Sequence, residues 1–94
     1  MDEFYSRQIN IMRKLCEELI ARRADPVGFV SNQWTLINLV RSNNPLFWDE
    51  YQNVVNEIEI IVAISLDGKG SLEEDEWLKI ENIGKKILNL LKEP

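Results

Sequence analysis

Apolar residues recur in alternating steps of four and three along this chain, in four segments parted by short breaks that carry proline or glycine. That period puts them on one stripe of an α-helix, and a helix with one apolar stripe must bury it against a neighbour. The first segment, about residues 3–23, carries Tyr5, Ile9, Met12, Cys16 and Leu19, flanked by Leu15 and Ile20. Arg22 and Arg23 fall in its last turn, where cations complement the helix dipole. Asp25-Pro26 restarts the chain, the aspartate as N-cap and the proline at the first helical position, where its missing N–H costs nothing. The second helix, about 26–41, is expected to show Val27, Val30, Trp34, Ile37 and Val40 to the core, with Phe29, Leu36 and Leu39 widening the arc. Asn44-Pro45 repeats the punctuation and opens a third helix over about 45–66. Its stripe is Phe47, Tyr51, Val54, Ile58 and Ile61, joined by Val55 and Val62, opposite a polar face of Asp49, Gln52, Asn53, Asn56 and Glu59.

The break Asp67-Gly68-Lys69-Gly70 ends the third helix, because glycine accepts the left-handed conformation of a C-cap. Ser71 with Glu74 three residues on has the form of a capping box. It opens a last helix over about 72–91, with Trp77, Ile80, Ile83 or Gly84, Ile87 and Leu91 on its stripe. Gly84 inside a helix costs roughly 1 kcal/mol relative to alanine, so it marks a close crossing with a neighbour. Short links between four amphipathic helices predict an all-α, single-domain antiparallel bundle of up-down-up-down topology spanning residues 1–94.

Composition excludes more functions than it assigns. Histidine is absent and Cys16 is the single cysteine, so imidazole triads, Cys/His zinc sites and an intrachain disulfide are all ruled out. On its apolar stripe Cys16 reads as an inert core thiol, and with no phosphate-binding glycine pattern either, the chain reads as a non-enzyme without cofactor or metal. The longest apolar run, Ile60 to Ile64, is far too short to span a bilayer, and the acidic start Met1-Asp2-Glu3 has no secretory character. A soluble, cytoplasmic protein is the expectation. The net charge of −5 is unevenly placed, with a balance of −8 over residues 49–82. Such a field repels nucleic-acid phosphate and attracts basic protein surfaces, so direct nucleic-acid binding is not expected.

The stretch Ser65 to Glu76 admits three readings. As a helix–helix connection it needs only the glycines and a cap. As an EF-hand loop it has Gly70 at position six, Leu72 at eight and Glu76 at twelve, yet the ligand positions one and five hold Ser65 and the ammonium of Lys69. A cation that close to a divalent ion opposes binding, so a degenerate calcium module is the second choice. The third reading joins the acids Glu73, Glu74, Asp75 and Glu76 to Asp49, Glu50, Glu57 and Glu59 of the third helix as one acidic surface for a basic partner.

The opening helix Ile9 to Arg23, the restart Asp25-Pro26-Val27-Gly28-Phe29 leading to Trp34, and the acidic helix pair around Gly68 give the chain a layout similar to colicin D-like immunity proteins and to some immunity proteins of contact-dependent inhibition systems. The resemblance covers most of the chain at the level of pattern, without a diagnostic motif. It implies a protein that neutralises a bacterial nuclease toxin by covering the toxin's basic active site, its carboxylates standing in for phosphate. Trp48 or Tyr51 would then be aromatic anchors, although both also fit a plain core. A regulatory or phage-encoded adaptor with another basic partner remains open, and monomer and dimer are equally compatible with the sequence.

Overall fold

In a computed structural model describing residues 2–92, four helices follow one another: α1 (Glu3–Ile20), α2 (Pro26–Val40), α3 (Pro45–Lys69) and α4 (Glu74–Leu90), with a short 3-10 turn at Arg41–Asn43. Successive helices pack on one another, and α4 closes the square against α1, so the chain is the expected all-α four-helix bundle. No helix of the described residues is long and apolar enough to cross a membrane.

Local chemistry accounts for most of the boundaries. Asp2, Asp25 and Asn44 each accept a backbone N–H at the start of α1, α2 and α3, and Pro26 and Pro45 occupy the first helical positions as predicted. The first helix stops at Ile20, short of its predicted end at Arg23. The backbone N–H groups of Arg22 and Arg23 turn back to the carbonyls of Leu19 and Glu18, which is a Schellman closure, with Arg22 at φ 60° in the left-handed position that glycine usually fills. An ion pair between Arg23 and Glu18 at 2.6 Å stands where that motif normally has an apolar contact.

At the other end α3 runs past its predicted end at Leu66. Asp67, Gly68 and Lys69 are helical, and Gly70 at φ 78° terminates the helix. The start of α4 also differs from expectation: the N-cap is Glu73, not Ser71. The reason is Glu76, whose carboxylate accepts the Glu73 backbone N–H at 2.8 Å while holding Ser65 and Lys69 of α3. Leu72 before the cap and Trp77 four residues after it line one crevice, the positions of a hydrophobic staple.

The core is built from the predicted α1 stripe, Tyr5, Ile9, Met12, Cys16 and Leu19, all buried. Trp48 and Tyr51 of α3 lie at its centre, both fully buried. The Trp48 indole donates to the Tyr5 hydroxyl at 3.1 Å; the Tyr51 hydroxyl donates to Gln33 Oε1 at 2.7 Å, and Gln33 Nε2 donates to the Met12 carbonyl at 3.3 Å. Among the described residues no buried side-chain polar atom lacks a partner. The α2 register departs from the sequence reading: Phe29, Val30, Gln33, Leu36, Ile37 and Val40 face inward, whereas Val27, Trp34 and Leu39 are exposed. Gly84 does mark a close crossing, since a methyl group there would lie 3.1 Å from Ile20 of α1.

Two outcomes test this description. Gly68→Ala, at an uncrowded helical position, should leave stability unchanged or raise it by up to about 1 kcal/mol, whereas Gly70→Ala should lower it by about 1 kcal/mol, both read from urea denaturation. Burial pushes the Cys16 thiol up to about 12, so Cys16 should resist a thiol reagent at mildly alkaline pH until the chain is unfolded.

Candidate protein-binding surface

The eight predicted acids do not form one face. Glu73, Glu74 and Glu76 at the start of α4 are committed to intramolecular partners. The Arg22 guanidinium, set by its left-handed backbone at the end of α1, grips Glu74 in bidentate fashion at 2.6 and 3.1 Å, reaches Glu81 as well, and lies 5.5 Å over the Trp77 ring. Those two carboxylates, Glu74 first, raise the Arg22 pKa, and Arg22 lowers that of Glu74. Lys69 lies 3.0 Å from Glu76 and 3.4 Å from Glu73.

Glu76 is the most constrained of the group. Hydrogen bonds from Ser65, from the Glu73 backbone N–H and from Lys69, in that order of weight, hold its carboxyl down at about 2. This geometry also corrects the calcium reading of residues 65–76. Positions one to five of the supposed loop are helical. The side chains of positions one and five bind the carboxylate at twelve that would have been a metal ligand. Carboxylate oxygens of Glu73, Asp75 and Glu76 do approach within 4.8 Å of one another, but the Lys69 ammonium already serves two of them.

The acids of α3 divide between its two flanks. Glu57 faces α4, where Lys86 lies 3.6 Å away, and Glu50, two turns earlier, shares that side without an ion pair among the described residues. Asp49 meets Arg41 at 3.1 Å. Glu59 sits on the α2 side. The expectation of an aromatic anchor is corrected outright: Trp48 and Tyr51 are fully buried, their polar atoms bonded within the core, and cannot touch a partner.

The exposed tryptophan lies on α2. Trp34 is 38% exposed and its indole N–H reaches across to Asn56 Oδ1 of α3 at 2.9 Å. It closes one end of an open groove of about 290 Å³ between α2 and α3. Val27, Ser31 and Trp34 form one wall, at spacings of four and three; Glu59, Ala63 and Leu66 form the other at the same spacing. Val30 and Val62 make a buried floor, and Asp67 stands at the open end. Ile60 and Ile64, 54% and 68% exposed, continue the apolar surface onto the outside of α3. One signal for this was present in the sequence: a helix turns by about 100° per residue, so the five consecutive apolar residues Ile60 to Ile64 cannot all face a core.

Charge and groove coincide. Residues 24–69, which hold α2 and α3, contain six carboxylates and two cations, Arg41 and Lys69; the rest of the chain sets nine cations against ten carboxylates. Arg41 is itself engaged by Asp49, Asn38 and Gln52. Of the net charge of −5, −4 thus belongs to the half of the bundle that carries the groove. Comparison with protein-family models, curated proteins and solved structures yields no significant match.

The Glu76 junction predicts a pH dependence. A carboxyl held below its ordinary value near 4.3 contributes stability that is full above that pH and lost as pH falls toward the folded value. Glu76→Gln should therefore lower the melting temperature at neutral pH, and the gap between variant and parent should shrink below about pH 4 and close near pH 2. A gap that stays constant across that range would show that Glu76 acts through shape and not charge.

Proposed function

We propose that this chain is a non-enzymatic protein-binding module whose α2–α3 half receives a basic partner. The observation that carries the reading is the distribution of charge: residues 24–69, which hold α2 and α3, carry −4 of the chain's −5, and Lys69, one of their two cations, is turned to the acids at the start of α4. The resulting negative field steers a positively charged partner and raises its association rate. A large exposed apolar surface within that same half supplies what a steering field alone lacks, area to be buried in a stable complex.

Within that class we favour the neutralisation of a nuclease toxin. A phosphate-binding cleft is basic, and Glu50, Glu57 and Glu59 are exposed carboxylates on the two flanks of α3, able to meet the walls of such a cleft from either side of the helix. Glu73, Glu74, Asp75 and Glu76 contribute less to this reading than their number suggests, because three of the four are paired internally.

Co-expression is the direct test. Products of the genes flanking this one should include one that arrests growth when expressed alone and is harmless with this chain present. Replacing Glu50, Glu57 and Glu59 by lysine should abolish protection while leaving the helical circular dichroism and melting temperature nearly unchanged, because all three are exposed. Protection that survives the triple reversal would refute the proposed surface. A basic but non-toxic flanking product that binds in the same charge-dependent way would point to an adaptor instead.

A further inference from the structure

We infer that the α2–α3 groove docks a short amphipathic segment of the partner, one that inserts aliphatic side chains between Val27 and Leu66 and sets lysine or arginine against Glu59 and Asp67. This rests on the acidic half being a protein-binding surface, and adds where contact centres and what chemistry the partner brings.

Three observations fix the occupant. The groove is mostly apolar, with Val27, Trp34, Ala63 and Leu66 in its walls and Val30 and Val62 in its floor, so it rewards aliphatic or aromatic side chains and not a bare polycation. Its charged groups are both carboxylates, Glu59 at the end that Trp34 closes and Asp67 at the mouth, and neither has an ion-pair partner among the described residues. The residues of its walls repeat at the spacing of a helix flank over seven positions, a length of about 10 Å at 1.5 Å per residue, which matches two turns of a bound helix or a short extended piece. A second copy of this chain is a poor occupant, because it would bring the same unbalanced acidic half against itself.

Trp34 reports on the groove directly. Trp48 is fully buried and Trp77 is stacked under Arg22, so Trp34 is the tryptophan that bound ligand would reach. Its neighbours in the groove, Ser31, Ala63 and Asp67, are exposed and give amide signals that a bound segment would shift.

The probes are a helical Leu/Lys peptide with leucines at three- and four-residue spacing, a Leu/Glu peptide of the same pattern, and a lysine homopolymer of equal length. The Leu/Lys peptide should change Trp34 emission and move the amide signals of Ser31, Ala63 and Asp67 and the Trp34 indole N–H. The Leu/Glu peptide should do neither. Val27→Ser combined with Leu66→Ser should weaken Leu/Lys binding by about tenfold or more. Glu59→Gln combined with Asp67→Asn should flatten its salt dependence. If the Leu/Lys peptide and the lysine homopolymer bind alike and shift only signals around Glu50 and Glu57, the groove assignment falls while the acidic-surface reading stands. Failure of every cationic peptide to bind overturns both. Equal binding of the Leu/Glu peptide, or concentration-dependent dimerisation that moves the groove signals, overturns the assignment of a basic occupant.

Discussion

A chain of buried hydrogen bonds from Tyr51 through Gln33 to the Met12 carbonyl sets the rotation of α2, and much of the molecule's surface depends on that rotation. Gln33 is fully buried. An amide left unpaired in such a place would cost roughly 1–3 kcal/mol, so Gln33 is held wherever Tyr51 and the α1 backbone can both reach it. With Gln33 turned inward, Trp34 is carried about 100° around the helix, and Val27, seven positions before it, follows onto the same flank. Both become groove wall. The polar centre of the core thus decides which apolar residues of α2 are left for another molecule.

Electrostatics sorts the rest. Arg22 and Lys69 meet the acids at the start of α4 at the corner where α1 and α3 both end, and those ion pairs, though partly exposed and individually worth little, tie Glu73, Glu74, Glu76 and Glu81 to intramolecular partners. Pairing is sparser along α2 and α3: Arg41 is enclosed by Asp49, Asn38 and Gln52 and Lys86 of α4 reaches Glu57, while Glu50, Glu59 and Asp67 have no ion-pair partner among the described residues. A negative field over an apolar groove is the arrangement that favours a positively charged, amphipathic ligand over either a polycation or a greasy surface alone.

The fold could be read from the sequence because its determinants are local. Asp25-Pro26 and Asn44-Pro45 mark helix starts through their own backbone chemistry, Gly70 marks a helix end, and the stripe Tyr5, Ile9, Met12, Cys16, Leu19 faces one way whatever it packs against. The surface was less accessible. Trp48 carried the look of an anchor because a large aromatic beside two acids resembles a binding residue until its indole is seen bonded to Tyr5. Trp34 was assigned to the core because its spacing from Val30 and Ile37 fits a stripe, and periodicity alone does not tell two overlapping stripes apart in a helix as apolar as α2.

The sequence by itself determined the number of helices, the caps of α2 and α3 and the antiparallel order, and placed most of the unbalanced negative charge in one half of the chain, since all of these follow from neighbours a few residues apart. Tertiary structure alone decided which acids are free and which apolar residues are exposed. Glu74 and Glu76 are paired with Arg22 and Lys69, far from them in the chain, and Val27 and Trp34 are turned outward by a hydrogen bond that joins α2 to α3. Both are consequences of contacts between residues far apart in the chain, and it is these contacts that turn an acidic helical sequence into a bundle with one acidic, apolar groove.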